Sequence, residues 1–339
     1  MNAPGIDRLL HWVAQAARAP SAHNVQPARW RLAGAQLELW EDPACWLAAG
    51  DPVGRDASLG LGMAWEGMQL AAGADGWQLG LPEPEAAPYP PPTVPRRRAR
   101  ATLAPGAVAD PLAAWVASRR SCRQAFVAAP ADARVRLDAV FAAHAGIAMR
   151  ADDSALEGFA TAHQAASIDL LRDRAIGAEL HAWLRLSRRH PLATRDGLDA
   201  PCLGLSPLEA LGGRVLMRPA VAATIARLGL GGLLVDEARK TRTATAIAVL
   251  AVPRDVDDFE AGRRWYRFWL ALAAAGFAAV PMSALVDTPR GRDALAVLKA
   301  VPAGRRVVNV MRVGVAPAAL PASARRPAAE LLEVAATAA

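Results

Sequence analysis

Hydrophobic and polar residues along this chain follow two periods, one helical and one extended. Apolar residues at helical spacing predict helices over residues 5–18, 57–75, 110–119, 131–144, 154–170, 174–187 and 258–275. Short β-rich or alternating runs predict strands over residues 29–33, 36–40, 77–79, 244–253 and 306–314. The mixture of the two patterns predicts an α+β protein.

The two longest predicted helices end in the same way, which suggests an internal duplication. Helix 57–75 ends at Gly76 and helix 258–275 ends at Gly276, and each is followed by a short apolar extension. Alanine-rich helices often end at glycine, so a chance similarity is the other explanation. We expect a true duplication, with two pseudo-repeated halves built around these long buried helices.

Proline and arginine content sets the expected boundaries of the halves. We predict a first, incomplete half over residues 1–95, a Pro/Arg-rich linker over 96–109 and a second half over 110–339. The run of arginines at 96–100 follows three prolines, which is typical of a solvated linker. Residues 189–215 are rich in proline and glycine and are expected to be irregular, as in a cover over a site.

Charge and cysteine content exclude several classes of protein. The formal net charge is +7 and the pI is about 10.2, but most arginines stand near acids and no nucleic-acid-binding module is present. Cys45, Cys122 and Cys202 are widely spaced, so neither a disulfide framework nor a thiolate metal site is expected, which suits a reducing cytoplasm. We therefore predict no nucleic-acid partner and no metal.

One uncharged stretch, residues 268–286, is long enough to suggest a membrane span. It contains Gly276 and Pro281, and no second candidate span stands beside it. A buried helix that turns into a short extended segment explains the stretch better. No membrane partner is expected.

A polar loop follows the first helix. Pro20 fixes the end of the helix, and Ser21, His23, Asn24 and Gln26 crowd four polar side chains into six positions. Serine and asparagine are common in turns because they bond to the local backbone, but that does not explain Gln26 followed at once by proline and a strand. A single histidine in such a loop is more often a hydrogen-bonded residue than an acid catalyst.

A cationic segment lies about a hundred residues downstream. Arg119, Arg120 and Arg123 surround Ser121, and the segment continues to Phe126. These arginines could all be solvated surface residues. Paired guanidinium groups with a hydroxyl between them are, however, well suited to bind phosphate oxygens.

Both segments resemble motifs of the nitroreductase family. Residues 19–27, Ala-Pro-Ser-Ala-His-Asn-Val-Gln-Pro, resemble its Pro-Ser-x-x-Asn-x-Gln-Pro-Trp pattern, with two residues interposed before Trp30. Residues 119–126 resemble its phosphate-binding opening. Residues 312–314 with Pro321 and 325–327 are similar to its closing segment, and residues 276–283 stand where the family runs backbone past the flavin ring.

The resemblance implies a nitroreductase-like fold, with a mostly antiparallel sheet flanked by helices in each half, and a site for flavin mononucleotide (FMN). The cofactor-binding residues it implies are Pro20, Ser21, Ala22, His23, Asn24, Gln26, Arg119, Arg120, Ser121, Arg123, Pro281, Met282, Ser283, Arg312, Arg325 and Arg326. No catalytic side chain is expected, since the flavin itself carries the chemistry.

The order of the motifs is inverted relative to ordinary family members. There the arginine motif precedes the Ser/Asn loop, and two subunits share each flavin; here the loop lies in the first half and the arginine motif in the second. The chain therefore resembles a fused dimer with one complete site, as in the divergent Acg-like branch of the family. We expect a monomeric pseudo-dimer.

Two functions follow from the resemblance. The first is an FMN-dependent oxidoreductase that passes hydride from NADPH or NADH to a nitroaromatic or quinone-like small molecule. The alternative is an FMN-binding or flavin-sequestering protein with little or no turnover, its site covered by the lid segment 189–215. A lid packed on the flavin would exclude nicotinamide, whereas a mobile lid would gate it.

Overall fold

A computed structural model of the chain describes residues 4–84, 92–301 and 303–335. The helices are α1 (Ile6–Ala16), α2 (Arg55–Ala74), α3 (Ala133–Ala143), α4 (Leu156–Arg172), α5 (Arg174–Ala182), α6 (Ala200–Leu203), α7 (Pro207–Leu216), α8 (Pro219–Arg227), α9 (Glu237–Arg242), α10 (Asp258–Ala274), α11 (Ala284–Asp287), α12 (Pro289–Val297) and α13 (Ala328–Leu331). The strands are β1 (Ala28–Ala33), β2 (Gln36–Glu41), β3 (Trp77–Leu79), β4 (Glu83–Pro84), β5 (Arg96–Pro105), β6 (Ala148–Arg150), β7 (Leu184–Arg185), β8 (Leu198–Asp199), β9 (Ala246–Pro253), β10 (Ala278–Pro281), β11 (Arg305–Gly314) and β12 (Leu332–Val334). The predicted α+β class is confirmed.

Two sheets with the same internal order form the frame. The first runs β12-β1-β2-β5-β3, with β4 also paired to β5, and the second runs β10-β11-β9-β6. All pairs in both sheets are antiparallel except β1 with β12, which is parallel. In each sheet a long helix leads into the short edge strand, α2 into β3 and α10 into β10. This matching order supports the predicted duplication.

The buried helices α2 and α10 cross at a pair of glycines. A Cβ atom on Gly62 would lie 1.9 Å from the carbonyl oxygen of Phe259, and one on Gly262 would lie 2.1 Å from that of Leu59. The carbonyl that meets Gly62 belongs to the residue three positions before Gly262, and the carbonyl that meets Gly262 belongs to the residue three positions before Gly62. The contact is reciprocal, as across a two-fold axis, and it lets the two backbones touch at the centre of the main hydrophobic core.

The predicted linker is wrong over its first ten residues. Residues 96–105 form β5, which pairs with β2 and β3 inside the first sheet. Its arginines are neutralised from neighbouring strands: Arg96 and Arg98 bind Glu41, and Arg97 binds Glu38. Opposite charges that face each other across a sheet stabilise strand pairing. The arginine run therefore forms part of a strand and not the solvated linker that the sequence predicts. Residues 85–91 lie outside the described residues.

Two further segments differ from the prediction. Instead of a helix over 110–119 there is a short 3-10 turn at Pro111–Trp115. The segment 189–215 is irregular only as far as residue 197, and then forms β8, α6 and most of α7. Ser206 caps α7 reciprocally with Glu209, with Pro207 at the first helical position. A Ser-Pro-x-Glu sequence is typical of a helix N-terminus.

The uncharged stretch 268–286 is accounted for as expected. Helix α10 ends at Ala274 and β10 follows as a short extended segment. Among the residues that the structure describes, no helix combines the length and apolarity needed to cross a membrane.

The α2–α10 crossing gives a test of the fold. Gly62→Ala is expected to lower the free energy of unfolding by about 2 kcal/mol or more, because the new methyl group meets backbone that cannot rotate away. Gly212→Ala in α7 is the matched control, since no atom lies within 4 Å of its Cβ position and alanine favours a helix. Urea unfolding measures both; equal stability of Gly62→Ala and wild type would contradict the close crossing.

Candidate functional site

The polar loop between α1 and β1 has a strained backbone. His23, Asn24 and Gln26 have φ values of +48°, +59° and +55°, in the left-handed region that non-glycine residues rarely adopt. Each such residue costs on the order of 1–3 kcal/mol and persists only where its surroundings fix it. The loop is therefore held by contacts from elsewhere in the chain.

Asn24 links the loop to two remote segments. Its Nδ2 donates to the carbonyl oxygens of Gly197 and Ala324, both at 3.0 Å. Its Oδ1 accepts from the Nη1 of Arg325 at 2.7 Å. The amide is used fully within the protein, so Asn24 positions Arg325 and residues 195–197, which we call the lid base, instead of offering the amide to a ligand.

Gln26 has the same role two residues further along the loop. Its Nε2 donates to the carbonyl oxygen of Arg195 at 2.9 Å, and its Oε1 accepts from the backbone N–H of Arg326 at 3.0 Å. The lid base is fixed again by Asp196, which is buried and binds both Arg185 and Arg326. Loop, lid base and C-terminal segment thus form one hydrogen-bonded unit.

The arginine-rich segment is attached to the second sheet. Ser121 forms a parallel bridge with Ala279 of β10, and the backbone N–H of Phe126 donates to Thr243 Oγ1 at 2.8 Å. Arg312 on β11 is buried beneath the segment and donates to the carbonyl oxygens of Gln124 and Arg123 at 2.9 and 3.1 Å. Arg312 therefore supports the backbone that carries Arg123.

Five arginines converge where these segments meet. We call the pocket they line the arginine pocket; it comprises Arg18, Arg119, Arg120, Arg123 and Arg325 with smaller residues from the loop and from the lid segment. Among the described residues, no carboxylate oxygen lies within 4 Å of any of these five guanidinium groups. Arginines in the sheets, in contrast, are paired with acids.

Several of their N–H groups have no hydrogen-bond acceptor in the part of the chain that the structure describes. The guanidinium of Arg119 stacks on Trp269, 4.5 Å from the ring centroid, and donates from Nη2 to the carbonyl oxygen of Arg18 at 2.9 Å. Its Nε and Nη1 are buried without a hydrogen-bond acceptor among the described residues, as are the Nε atoms of Arg18, Arg120 and Arg325. Buried donors left unpaired are costly, so the pocket is built for an acceptor that the chain does not supply.

Burial and mutual repulsion disfavour the charged forms of these groups. Burial, with the neighbouring Arg119 charge, lowers the pKa of Arg325 to about 9. Burial also lowers the pKa of Arg119 and Arg120, and the charges of Arg18 and Arg119 lower that of Arg120 further. A bound dianion would favour the charged forms and so offset both effects on the pKa values.

A larger cavity of about 340 Å³ adjoins the arginine pocket, and Pro20, Ser21, Ser121, Arg123 and Leu198 line both. Its volume is typical of small-molecule sites, on the order of 300–1,000 Å³. The walls include Trp265 and Trp269 of α10, apolar side chains of α4 and α5, and three carboxylates, Asp51, Asp56 and Asp287. Burial lowers the pKa of His23, which also lines this cavity, to about 4, so its imidazole is neutral at neutral pH.

The structure separates the predicted site residues into two groups. Those that line the arginine pocket or the large cavity are Pro20, Ser21, Ala22, His23, Asn24, Arg119, Arg120, Ser121, Arg123, Pro281, Ser283 and Arg325. Gln26, Met282, Arg312 and Arg326 line neither cavity. Met282 is packed in the hydrophobic core, and the other three hold lining segments in place.

Sequence reasoning missed several lining residues. Arg18 precedes the polar loop directly and could have been found from its position and charge. Trp265 and Trp269 stand four residues apart on α10, a spacing that marks one helical face but equally marks an ordinary core. The three carboxylates come from two distant segments, and no local signal connects them.

The chain is similar to two nitroreductase-named proteins over nearly its whole length, although no protein-family model matches it. It is 28% identical over 334 residues to two proteins from Mycobacterium tuberculosis, strains CDC 1551 / Oshkosh and ATCC 25618 / H37Rv, each named "Putative NAD(P)H nitroreductase"; the alignments cover 94% of this chain and 89% of theirs. The family resemblance seen in the motifs is thereby confirmed.

Solved structures give a weaker likeness. A nitroreductase-like family protein from Bacillus cereus has a TM-score of 0.36 at 14% identity, covering 67% of this chain and 96% of that one. The FMN-dependent nitroreductase NfnB from Mycobacterium smegmatis, in complex with NADPH, has a TM-score of 0.35 at 19% identity, covering 60% and 86%. TM-scores this low do not by themselves establish a common fold.

The unpaired arginines predict stabilisation by a simple anion. Inorganic phosphate is expected to raise the Tm of the ligand-free protein, by about 2–4 °C for each kcal/mol that its binding adds to the free energy of unfolding, because it supplies the missing acceptors. Arg120→Gln should reduce this shift, whereas Arg188→Gln, an exposed arginine that lines neither cavity, should leave it unchanged. A phosphate effect equal in all three proteins, measured by thermal unfolding at constant ionic strength, would rule out a specific site.

Proposed function

We propose that this chain is an FMN-dependent NAD(P)H oxidoreductase of the nitroreductase type, acting on a flat small-molecule acceptor such as a nitroaromatic or a quinone. The single observation that carries the proposal is the convergence of five arginines, none paired with a carboxylate among the described residues, beside a cavity of ordinary small-molecule size. The similarity to nitroreductase-named proteins along the chain supports the same conclusion.

The residues present fit a phosphorylated flavin. The arginine pocket offers buried N–H groups of Arg18, Arg119, Arg120 and Arg325 that have no acceptor among the described residues, which suits the phosphate. The adjoining cavity, with Trp269 and Pro281 among its walls, suits a planar ring. FMN, when bound, would supply the two-electron chemistry between reduced nicotinamide and the acceptor.

Side chains of this chain would then bind and orient the flavin and shield it from water. Ser121 and Arg123 line both cavities and so would stand between the phosphate and the ring. The strained backbone at His23 brings the loop against the cavity, and Asn24 holds Arg325 in the pocket. Leu198, directly after the lid base, lines both cavities and would exclude water from the bound flavin.

A fused pseudo-dimer with one site accounts for the arrangement of the halves. In the first half, residues 17–27 connect α1 to β1 and carry the polar loop; in the second half, the corresponding connection from α3 to β6 is residues 144–147 only. The shorter connection has no room for a second polar loop. The inverted motif order and this shortening support assignment to the Acg-like branch.

The sequestering function is the second candidate, and the lid base favours it. Asn24, Gln26 and Arg326 all bind residues 195–197, and Asp196 is buried in ion pairs. A lid fastened at this many points would restrict access of nicotinamide to the ring.

Loss of two phosphate ligands should release the cofactor. Arg119→Ala together with Arg120→Ala is expected to weaken FMN binding by roughly 10²- to 10⁴-fold, since each charge-assisted hydrogen bond contributes ~1.5–3 kcal/mol. The matched control is Arg188→Ala with Arg254→Ala, two solvent-exposed arginines outside both cavities and outside the lid segment, which should retain yellow colour. Retained FMN in the first double variant, with native circular dichroism, would remove these arginines from the site.

The flavin content tests the single-site architecture. We expect about one FMN per chain, because only one polar loop and one arginine pocket are present among the described residues. Absorbance of the released flavin against protein concentration measures the ratio. Two flavins per chain would overturn the degenerate pseudo-dimer.

Anaerobic mixing with NADPH separates the two candidate functions. Rapid bleaching of the flavin absorbance is expected for an oxidoreductase, because its site would admit the reduced nicotinamide. Asp196→Asn, which weakens the lid base, should accelerate bleaching if lid opening limits the rate. A spectrum that stays oxidised in both proteins would favour sequestration.

A further inference from the structure

Four arginines are buried among the residues that the structure describes: Arg98, Arg119, Arg185 and Arg312. Three of them have a carboxylate beside the guanidinium group, at 2.7 Å for Arg98, 2.8 Å for Arg185 and 3.9 Å for Arg312. Arg119 is 5% exposed and, within the same described ranges, has no carboxylate oxygen within 4 Å. A buried cation is costly unless it has a partner, so Arg119 needs a partner of another kind.

Two aromatic rings stand where a carboxylate is missing. Tyr266 and Trp269, which we call the aromatic pair, are three residues apart on α10 and so share one helical face. The guanidinium carbon of Arg119 lies 4.5 Å from the ring centroid of Trp269 and 5.8 Å from that of Tyr266. The negative face of an aromatic ring attracts a cation, most strongly where water is excluded, and both rings are buried.

This kind of partner leaves Arg119 free to bind an anion. A carboxylate would accept hydrogen bonds from its N–H groups and cancel its charge, whereas the face of an aromatic ring does neither. Nη2 donates to the carbonyl oxygen of Arg18 at 2.9 Å, while Nε and Nη1 are buried without an acceptor among the described residues. The aromatic pair thus holds the guanidinium without using these N–H groups, which remain for phosphate oxygens.

Trp269 also belongs to the wall of the large cavity. Trp265, one turn earlier on α10, lines the same cavity, and its ring stacks on that of Trp269 with centroids 6.0 Å apart and an angle of 12° between the planes. Arg119 faces Trp269 and not Trp265. One indole therefore contacts both the large cavity and a residue of the arginine pocket, and its neighbour provides a control for the cavity wall alone.

We propose that the aromatic pair determines phosphate specificity: by positioning Arg119 as a cation without a carboxylate partner, Tyr266 and Trp269 make the site prefer a phosphorylated flavin over the same flavin without its phosphate. Both act through Arg119 and are positioning residues. The inference rests on the proposed function where it concerns a flavin. Where it concerns inorganic phosphate, it needs only the arginine pocket and the aromatic pair.

The ratio of the riboflavin Kd to the FMN Kd measures the preference, because the two ligands differ only in the phosphate. Quenching of flavin fluorescence on titration with the flavin-free full chain gives each Kd. Trp269→Leu is expected to lower the ratio about tenfold, since Arg119 loses its nearest aromatic face. Trp269→Phe keeps an aromatic face and should restore most of the ratio. Trp265→Leu removes the same ring from the same wall and should weaken both ligands equally, with the ratio unchanged.

Fluorinated tryptophans at position 269 separate attraction of the cation from packing. Ring fluorines withdraw electron density from the face while leaving the shape of the indole nearly the same, so increasing fluorination should lower the ratio stepwise. The rise in Tm caused by inorganic phosphate should fall in the same series. This series decides the outcome if Trp269→Leu does not fold. A ratio and a phosphate effect that stay constant through the series would overturn the proposal.

Failure of this inference and failure of the proposed function give different results. A protein that binds FMN and riboflavin, with a ratio that neither Trp269→Leu nor fluorination changes, loses only the role of the aromatic pair. A protein that binds neither flavin, but whose response to inorganic phosphate falls with fluorination at position 269, keeps that role and loses the oxidoreductase.

Discussion

Mutual repulsion among buried arginines is the constraint on which the rest of this structure depends. Arg119 is buried and Arg325 is half-buried beside other guanidinium groups, and no carboxylate among the described residues is near enough to pair with them. Such an arrangement is unfavourable by itself, and the packing of the whole chain has to enforce it. Stacking of Arg119 on Trp269 and hydrogen bonds to the Arg18 carbonyl supply some of the compensation, and an anion would supply the remainder.

The packing of the two halves against each other brings these arginines together. Helices α2 and α10 touch at Gly62 and Gly262, so the loop after α1 and the arginine segment on the second sheet are brought to one place. Neither half holds a complete site: the first contributes Arg18 and the polar loop, the second contributes Arg119, Arg120 and Arg123. Arg325, from the C-terminal segment, completes the pocket and is itself fixed by Asn24.

The same logic of charge applies at the other end of the large cavity. Excess positive charge lies at the arginine pocket and excess negative charge lies around Asp51 and Asp287, with the neutral His23 lining the cavity between walls of aromatic and aliphatic side chains. A cavity of opposite polarity at its two ends orients whatever binds there. The lid base lies beside the arginine pocket, which Gly197 lines, and is held there by the ion pairs of Asp196 with Arg185 and Arg326.

The sequence by itself determined the α+β class, the positions of the long buried helices and the two motifs that line the site, because periodicity and turn chemistry depend on residues only a few positions apart. Only the tertiary structure decided that Arg96–Arg100 lie in a strand opposite Glu38 and Glu41, since the neutralising acids come from a distant stretch of the chain. It also decided that the amides of Asn24 and Gln26 bind the lid base and the C-terminal segment, and that aspartates from two distant segments share one cavity. The partner of a charged or polar side chain is chosen by long-range packing, which local sequence does not encode.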